Sequence, residues 1–379
     1  MTLYGIAVIP LLIWAYLLLA RGGFWRVAAR SAADPPTAPA GRVTVLIPAR
    51  NEAATIGAAV CSLAGQTFSG VIHLIVIDDG STDCTAEVAQ AAARNSGMLE
   101  RFTSLRSAPL PSGWTGKLWA LSQGVESAAR LDADYLLLTD ADILHGPTSV
   151  ASLVAEAVAH DRDLVSHMVQ LSTARPAERL LIPAFVFFFF KLYPPAWIAD
   201  PRRKTAAAAG GCLLIRPATL ARAGGLVAIR SQIIDDCALA RLVKDSGGRI
   251  FLGLAADTRS LRSYKSAAEL GAMISRTAFA QLRHSYLLLL ATLLGLFLTY
   301  LLPVVLAFSS NPSLVCLGLG ALLLMSICYL PMVRFYRQSP LWSLCLPLIA
   351  SFYMGAVIHS VVQYARGRGG TWKGRVQDA

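Results

Sequence analysis

Apolar positions along this chain form two kinds of run. Residues 3 to 20, 286 to 308, 314 to 333 and 341 to 364 are long and free of Asp, Glu, Lys and Arg, close to the ~20 residues that a bilayer span requires. The second kind is short and β-branched. Val43 to Ile47 is stopped by Pro48, and His73 to Ile77 and Tyr135 to Leu138 are similar. Each is apolar enough for a strand buried on both faces. Between and after the first two, Ala53 to Leu63 and Thr85 to Ala93 carry apolar residues at helical spacing. Alternation of strand and helix predicts an open, mostly parallel, Rossmann-like α/β sheet with ligands beyond the carboxyl ends of its strands.

Composition agrees with two environments. Apolar residues make up 55% of the 379 residues and charged ones only 15%, against about 25% charged in ordinary soluble domains. The expected layout is an N-terminal transmembrane anchor at 1–21, a Pro- and Ala-rich linker at 22–42, an α/β domain at 43–285, C-terminal transmembrane helices at 286–365 and a basic tail at 366–379. Arg21, Arg26 and Arg30 follow the first apolar run, so the positive-inside rule places the α/β domain in the cytoplasm of a multi-pass protein of the inner (cell) membrane. Three later spans would leave Arg366, Arg368, Lys373 and Arg375 outside, and the expected number of C-terminal crossings is two or three. Residues 180 to 198 are apolar and aromatic but broken by Pro183, Lys191, Pro194 and Pro195, which suits an element lying in the headgroup region better than a full span.

A net charge of +11 raises the question of nucleic acid, but the basic residues sit beside apolar runs and at 202–204 with no RNA-module pattern, so no nucleic-acid partner is expected. Anionic headgroups and an anionic substrate account for the charge better. The seven cysteines contain no C-x-x-C pair, giving neither a zinc cluster nor a disulfide framework.

Candidate chemistry lies where the sheet pattern puts it. Pro48-Ala49-Arg50-Asn51-Glu52 follows the first strand, Asp78-Asp79-Gly80-Ser81-Thr82-Asp83 the second, and Asp140-Ala141-Asp142 the third. Two carboxylates past a buried strand can hold a hard divalent cation that bridges a diphosphate. Adjacent Asp78 and Asp79 can accept hydrogen bonds from a base or ribose, and Gly80 lets the chain reverse. Lys117 stands at a predicted helix start after Gly113 and Gly116, which suits a phosphate, although no P-loop pattern is present. Gly210-Gly211 precede a short apolar strand, as where backbone approaches a ligand closely. Asp235-Asp236 enter a helix, where a carboxylate can act as general base or simply cap the helix.

In this order and spacing, these motifs resemble the family 2 glycosyltransferases of the GT-A fold over roughly residues 42 to 285. The membrane-flanked layout and the Gly113 to Gly124 segment look most like the hopanoid-biosynthesis-associated members. The resemblance implies a nucleotide-sugar donor, most simply a UDP-sugar, held by Pro48, Ala49, Arg50, Glu52, Asp78, Asp79, Lys117 and Asp140. It further implies Mg2+ or Mn2+ on Asp140 and Asp142, the acceptor side at Gly210 and Gly211, and Asp236 as base with Asp235 beside it in place of the customary Glu. The Q-x-x-R-W signature of processive enzymes is absent, since after Gln281-Leu282-Arg283 its Arg and Trp positions hold His284 and Ser285. Single-sugar transfer to a lipid acceptor is therefore expected, with a polyprenyl-phosphate or ceramide-type transferase, or a non-catalytic nucleotide-binding scaffold, as the rivals.

Overall fold

The structure, a computed structural model, describes residues 3–27 and 39–369. Residues 28–38 of the expected linker, with Arg30, and residues 370–379 of the tail, with Lys373 and Arg375, lie outside the described residues. The chain divides into two compact units. One is a sheet unit of residues 39–172 and 197–262, and the other a helical unit of residues 3–27, 173–196 and 263–369. This division differs from the expected boundary at 285, because 173–196 and 263–285 pack with the helical unit.

The sheet unit holds eight strands: β1 (Arg42–Ala49), β2 (Val71–Asp78), β3 (Phe102–Arg106), β4 (Tyr135–Thr139), β5 (Ile143–Leu144), β6 (Leu164–Gln170), β7 (Cys212–Ile215) and β8 (Ile250–Ser260). Their order is β3-β2-β1-β4-β7-β6-β8-β5. The three apolar runs become β1, β2 and β4, and these pair in parallel, as do β2 with β3 and β6 with β8. The expectation of a mostly parallel sheet fails at β7, antiparallel to both β4 and β6, and at β5, antiparallel to β8. The sheet is mixed. That correction matters for the site, because β7, antiparallel to β4, begins where β4 ends, with Thr139 opposite Cys212.

Alternation along β1 divides its side chains between two faces. Val43, Val45 and Ile47 join Ile72, Leu74 and Val76 of β2 in a core shared with helices Ile56–Ala64, Thr85–Asn95 and Ser149–Ala159. On the other face, helix Gly116–Ala128 lies so close that a Cβ built on Gly124 would stand 2.8 Å from Ile77 Cδ1 and 3.4 Å from Leu46 Cδ2. Gly124 thus sets the distance of this helix from the sheet. Gly124→Ala is expected to lower stability by about 1–3 kcal/mol through overpacking, measurable as a fall in thermal midpoint.

Within the helical unit, four helices are long and apolar enough to cross a membrane by length and composition. They are Pro176–Ala199, whose last residues belong to the sheet unit, Tyr286–Ala307, Pro312–Phe335 and Pro340–Ala365. Three of them are C-terminal, the upper of the two expected numbers. The expected N-terminal anchor forms the helix Leu3–Leu19 of 17 residues, about 25 Å long at 1.5 Å per residue and shorter than those four. Its Trp14 is fully buried and donates its indole N–H to Thr299 O at 2.8 Å. Pro183 does not end the helix Pro176–Leu192. Ile182, Phe187 and Phe190 are buried around it, and this packing outweighs one missing backbone bond. Arg21 caps the helix by donating to Lys191 O and Leu192 O at 3.1 and 3.2 Å.

Candidate active site

The polar residues of interest collect along one edge of the sheet because strands β1, β2 and β4 all end there and β7 starts there. At the end of β1, Pro48 and Ala49 are buried, and Arg50 is half-buried. The Arg50 guanidinium donates to Asp79 O and lies 3.8 Å from the buried Asp79 carboxylate. Asn51 takes a positive φ of 53°, a conformation that asparagine tolerates better than most residues. From there its side-chain oxygen accepts the Thr82 N–H at 2.8 Å while its own N–H donates to Ser81 Oγ at 3.0 Å. The loops after β1 and β2 are thereby tied together.

Asp78 and Asp79 differ in what they do. Asp78 Oδ1 accepts the Ser81 N–H at 3.0 Å and the Ser81 hydroxyl, so one of its oxygens closes the turn at Gly80. Asp83 accepts from Ala53 N–H at 3.2 Å and from Thr85 N–H at 3.1 Å, bracing the start of helix Thr85–Asn95. Glu52 is anchored by its N–H on Thr85 Oγ1 and by the Thr55 hydroxyl on its carboxylate.

At the end of β4, Asp142 accepts the Ser260 hydroxyl at 3.0 Å. Burial pushes its carboxyl upward from the ordinary carboxylate range, and the charges of Asp140 and Glu52 push it further. Asp140, Asp142 and Glu52 thus form a site with surplus negative charge. Among the described residues no three His, Cys, Asp or Glu side chains form a complete metal-ligand set. The surplus fits Mg2+ or Mn2+, which is commonly held by one or two carboxylates and completed by substrate phosphates and water.

Lys117 lies in the first turn of helix Gly116–Ala128, which Thr115 caps by accepting the Leu118 N–H. Its ammonium is 2.9 Å from Asp140 Oδ1 and 3.3 Å from Asp235 Oδ2. Burial disfavours the ammonium, but Asp140 and Asp235 outweigh it and its pKa is raised. Lys117 is therefore a fixed positive charge between the two acidic groups.

Asp235 and Asp236 open helix Asp235–Asp245. Asp236 Oδ2 accepts the Gly210 N–H at 2.8 Å and its Oδ1 accepts the Cys237 N–H at 2.7 Å. Gly210 is needed here, since a Cβ on it would stand 3.3 Å from both Asp236 Oδ2 and the Lys117 ammonium. Burial, and then the Asp235 charge, raise the Asp236 carboxyl to about 6, with Lys117 opposing. A carboxylate so placed accepts a proton readily near neutral pH. Beside it opens a small crevice lined by Asp235, Asp236 and Lys117 and by Leu118, Leu121 and Leu239 among others.

Of the residues expected from sequence, the structure joins Lys117 with Asp140 and Asp235, Asp236 with Gly210, and Arg50 with Asp79. Sequence reasoning missed Asn51, Ser260, and the buried Thr139 and His145, which bond each other behind Asp140. Asn51 had a signal in its place before Glu52 in the first loop. The others had none, because their partners are distant in sequence.

Residues 44–216 match the sequence model of Glycosyl transferase family 2. Among curated relatives, glucosyl-3-phosphoglycerate synthase of Mycolicibacterium paratuberculosis is 30% identical over 154 residues, 40% of this chain and 44% of that protein. The enzyme of the same name from Mycolicibacterium smegmatis is 32% identical over 121 residues, 32% of this chain and 37% of its own length. The chain therefore spans less than half the length of these relatives. A mannosyltransferase from Pyrobaculum calidifontis, solved with GDP-Man and Mn2+, superposes with a TM-score of 0.58 at 19% identity, over 95% of this chain and 99% of that one. This likeness is one of fold. The family match ends at Arg216, so it includes the loops after β1, β2 and β4 and Gly210-Gly211, while Asp235 and Asp236 stand beyond it. Over residues 44–216 the chain is therefore similar to the glycosyltransferases of family 2.

Proposed function

We propose that the chain is a membrane-bound inverting glycosyltransferase that moves one sugar from a nucleotide-sugar donor to the hydroxyl of a lipid acceptor. The observation that carries this reading is the placement of Asp236. Its carboxylate is held by two backbone N–H groups next to Asp235, which pairs with Lys117, as does Asp140.

In the reaction, Asp236 takes the proton of the acceptor hydroxyl. The hydroxyl oxygen then forms the new bond to the anomeric carbon from the face opposite the diphosphate, and the electron pair of the breaking bond stays on the diphosphate oxygen. Asp78, Asp79, Arg50 and Glu52 with the flanking Pro48 and Ala49 hold the nucleoside. Lys117, at a helix N-terminus, attracts the diphosphate. Asp140 and Asp142 would hold Mg2+ or Mn2+, which when bound neutralises charge on the leaving diphosphate. Gly210 and Gly211 leave room for the acceptor beside Asp236.

The lipid acceptor and the membrane setting rest on the helices that are long and apolar enough to cross a bilayer and on the apolar side chains beside Asp236. Helix Pro176–Leu192 leaves the sheet unit after Ser172 and the chain rejoins it at Trp197. A single full crossing would put these two attachment points on opposite sides of the bilayer, so this helix fits a position along the membrane surface better. Arg21 and Arg26 support a cytoplasmic sheet unit. Within this reading, a hopanoid is the acceptor that the narrower resemblance favours, and UDP-sugars are the first donors to test.

The test incubates the full chain, purified in detergent, with UDP- and GDP-sugars, Mn2+ and a bacterial lipid extract, with 3-phosphoglycerate in a parallel arm. Mass spectrometry is expected to find a lipid carrying one added sugar. Sugar transfer to 3-phosphoglycerate without any lipid product would overturn the lipid acceptor, and a ladder of added sugars would overturn single transfer.

A further inference from the structure

Behind the site, a chain of neutral polar groups links β4 to the turn before β7. Thr139, the last residue of β4 and the neighbour of Asp140, donates its hydroxyl to Gly211 O at 2.7 Å. Its oxygen lies 2.9 Å from His145 Nε2, and His145 Nδ1 lies 3.1 Å from Ser149 Oγ. The Cys212 thiol, next to Gly211, is buried with them. All four side chains are buried, Thr139 and His145 with 2% and 4% exposure. Burial lowers the imidazole to about 4, with His167 adding to the effect, and burial raises the Cys212 thiol to about 12. Both are neutral at pH 7.

Proton counting gives the chain one direction. The single Thr139 proton is used on Gly211 O, so Thr139 Oγ1 must accept from His145 Nε2–H. A neutral ring protonated at Nε2 carries a lone pair at Nδ1, which accepts the Ser149 hydroxyl. Each of these three protons has an acceptor, the arrangement that makes a buried polar network rigid. The His145 backbone N–H is fixed as well, on Ser62 Oγ at 3.0 Å.

We infer that His145 is a positioning residue for sugar transfer, acting through Thr139 to hold the Gly210-Gly211 turn and, with it, the Gly210 N–H that aims the Asp236 carboxylate. Thr139 adjoins Asp140, and its partner Gly211 adjoins the residue bonded to Asp236. The two acidic groups are thereby kept in register across β4 and β7. This inference rests on Asp236 being the base, which Asp236→Asn tests separately.

The experiment compares variants that keep one bond at a time. In His145→Gln the amide nitrogen reaches the Nε2 position and donates to Thr139, whereas in His145→Asn it reaches only the Nδ1 position. Thr139→Ser keeps the donating hydroxyl and Thr139→Val removes it. Hydrogen exchange of a peptide spanning 209–215 needs no substrate, and it should speed up in His145→Asn and Thr139→Val while staying at the wild-type rate in His145→Gln and Thr139→Ser. With the nucleotide sugar that the wild type consumes, the first two should lose about 10- to 100-fold in kcat, the scale of a misplaced reacting group, with donor KM unchanged. Equal behaviour of the Gln and Asn variants, or activity losses that merely track the fraction of folded protein, would overturn the inference. Full activity in Thr139→Val would overturn it too.

Discussion

Asp236→Asn removes sugar transfer by about 10²- to 10⁴-fold, the usual contribution of a general base, while nucleotide binding measured by calorimetry stays within a few-fold of wild type. The amide keeps the shape of the carboxyl and can still accept one of the N–H bonds from Gly210 or Cys237, so the loss isolates the proton acceptor. Substantial residual transfer would remove Asp236 from the mechanism. The pH profile supplies a second readout. Burial, followed by the Asp235 charge, raises the Asp236 carboxyl to about 6. Only the ionised form can take a proton, so kcat/KM of the wild type should fall about tenfold per pH unit below that value. Stability moves the other way. A carboxyl raised on folding takes up protons as the protein folds, so the stability contributed by its protonated form is complete below the ordinary carboxylate value and lost as pH rises through about 6. The Asn variant does not titrate, and its thermal midpoint should gain on that of the wild type between pH 4 and pH 7.

How much of this was legible in the sequence depends on the distance over which each feature is encoded. Val43 to Ile47, His73 to Ile77 and Tyr135 to Leu138 announce buried strands by local composition, and they became β1, β2 and β4. The acidic residues that follow each run could be assigned to one edge of the sheet because parallel strands end on the same side. β7 was harder. Gly210-Gly211 before four apolar residues signals a strand and a close approach but carries no direction. Its antiparallel course depends on pairing Cys212 with Thr139, 73 positions earlier. The same separation hides the His145 network, where Thr139 and Gly211 meet only after β4 and β7 have paired. Lys117 was visible as a helix-start cation, whereas its pairing with both Asp140 and Asp235 was not. Helix Pro176–Leu192 shows the opposite error, in which a local rule was read too strongly. Pro183 forbids one backbone bond, yet burial of Ile182 and Phe187 keeps the helix whole.

Asp142→Ala should abolish the Mn2+ dependence of donor binding. In the wild type, calorimetric titration of nucleotide with and without Mn2+ is expected to show tighter binding with the ion. In the variant the two titrations should coincide, a loss of about a hundredfold or roughly 2.7 kcal/mol in the presence of Mn2+. The ion would lose one of its two carboxylates, and Asp140, already 2.9 Å from Lys117, is a poor ligand alone because the ammonium has taken up part of its charge. Lys117 remains, so weak metal-independent binding should persist in Asp142→Ala. A variant whose binding still tightens with Mn2+ would exclude Asp142 as a ligand. Unfolding cannot mimic the predicted result. Ser260 keeps a partner after the change, since its oxygen also accepts the Arg262 N–H at 3.1 Å. The Asp142 carboxyl is moreover raised by burial and by Asp140, which means that its ionised form costs the folded state stability as pH rises through its folded value. Removing it should leave the thermal midpoint at pH 7.5 equal to or above that of the wild type. A carboxylate kept at a cost to stability beside two other acidic groups is the pattern expected of a residue retained for binding a cation.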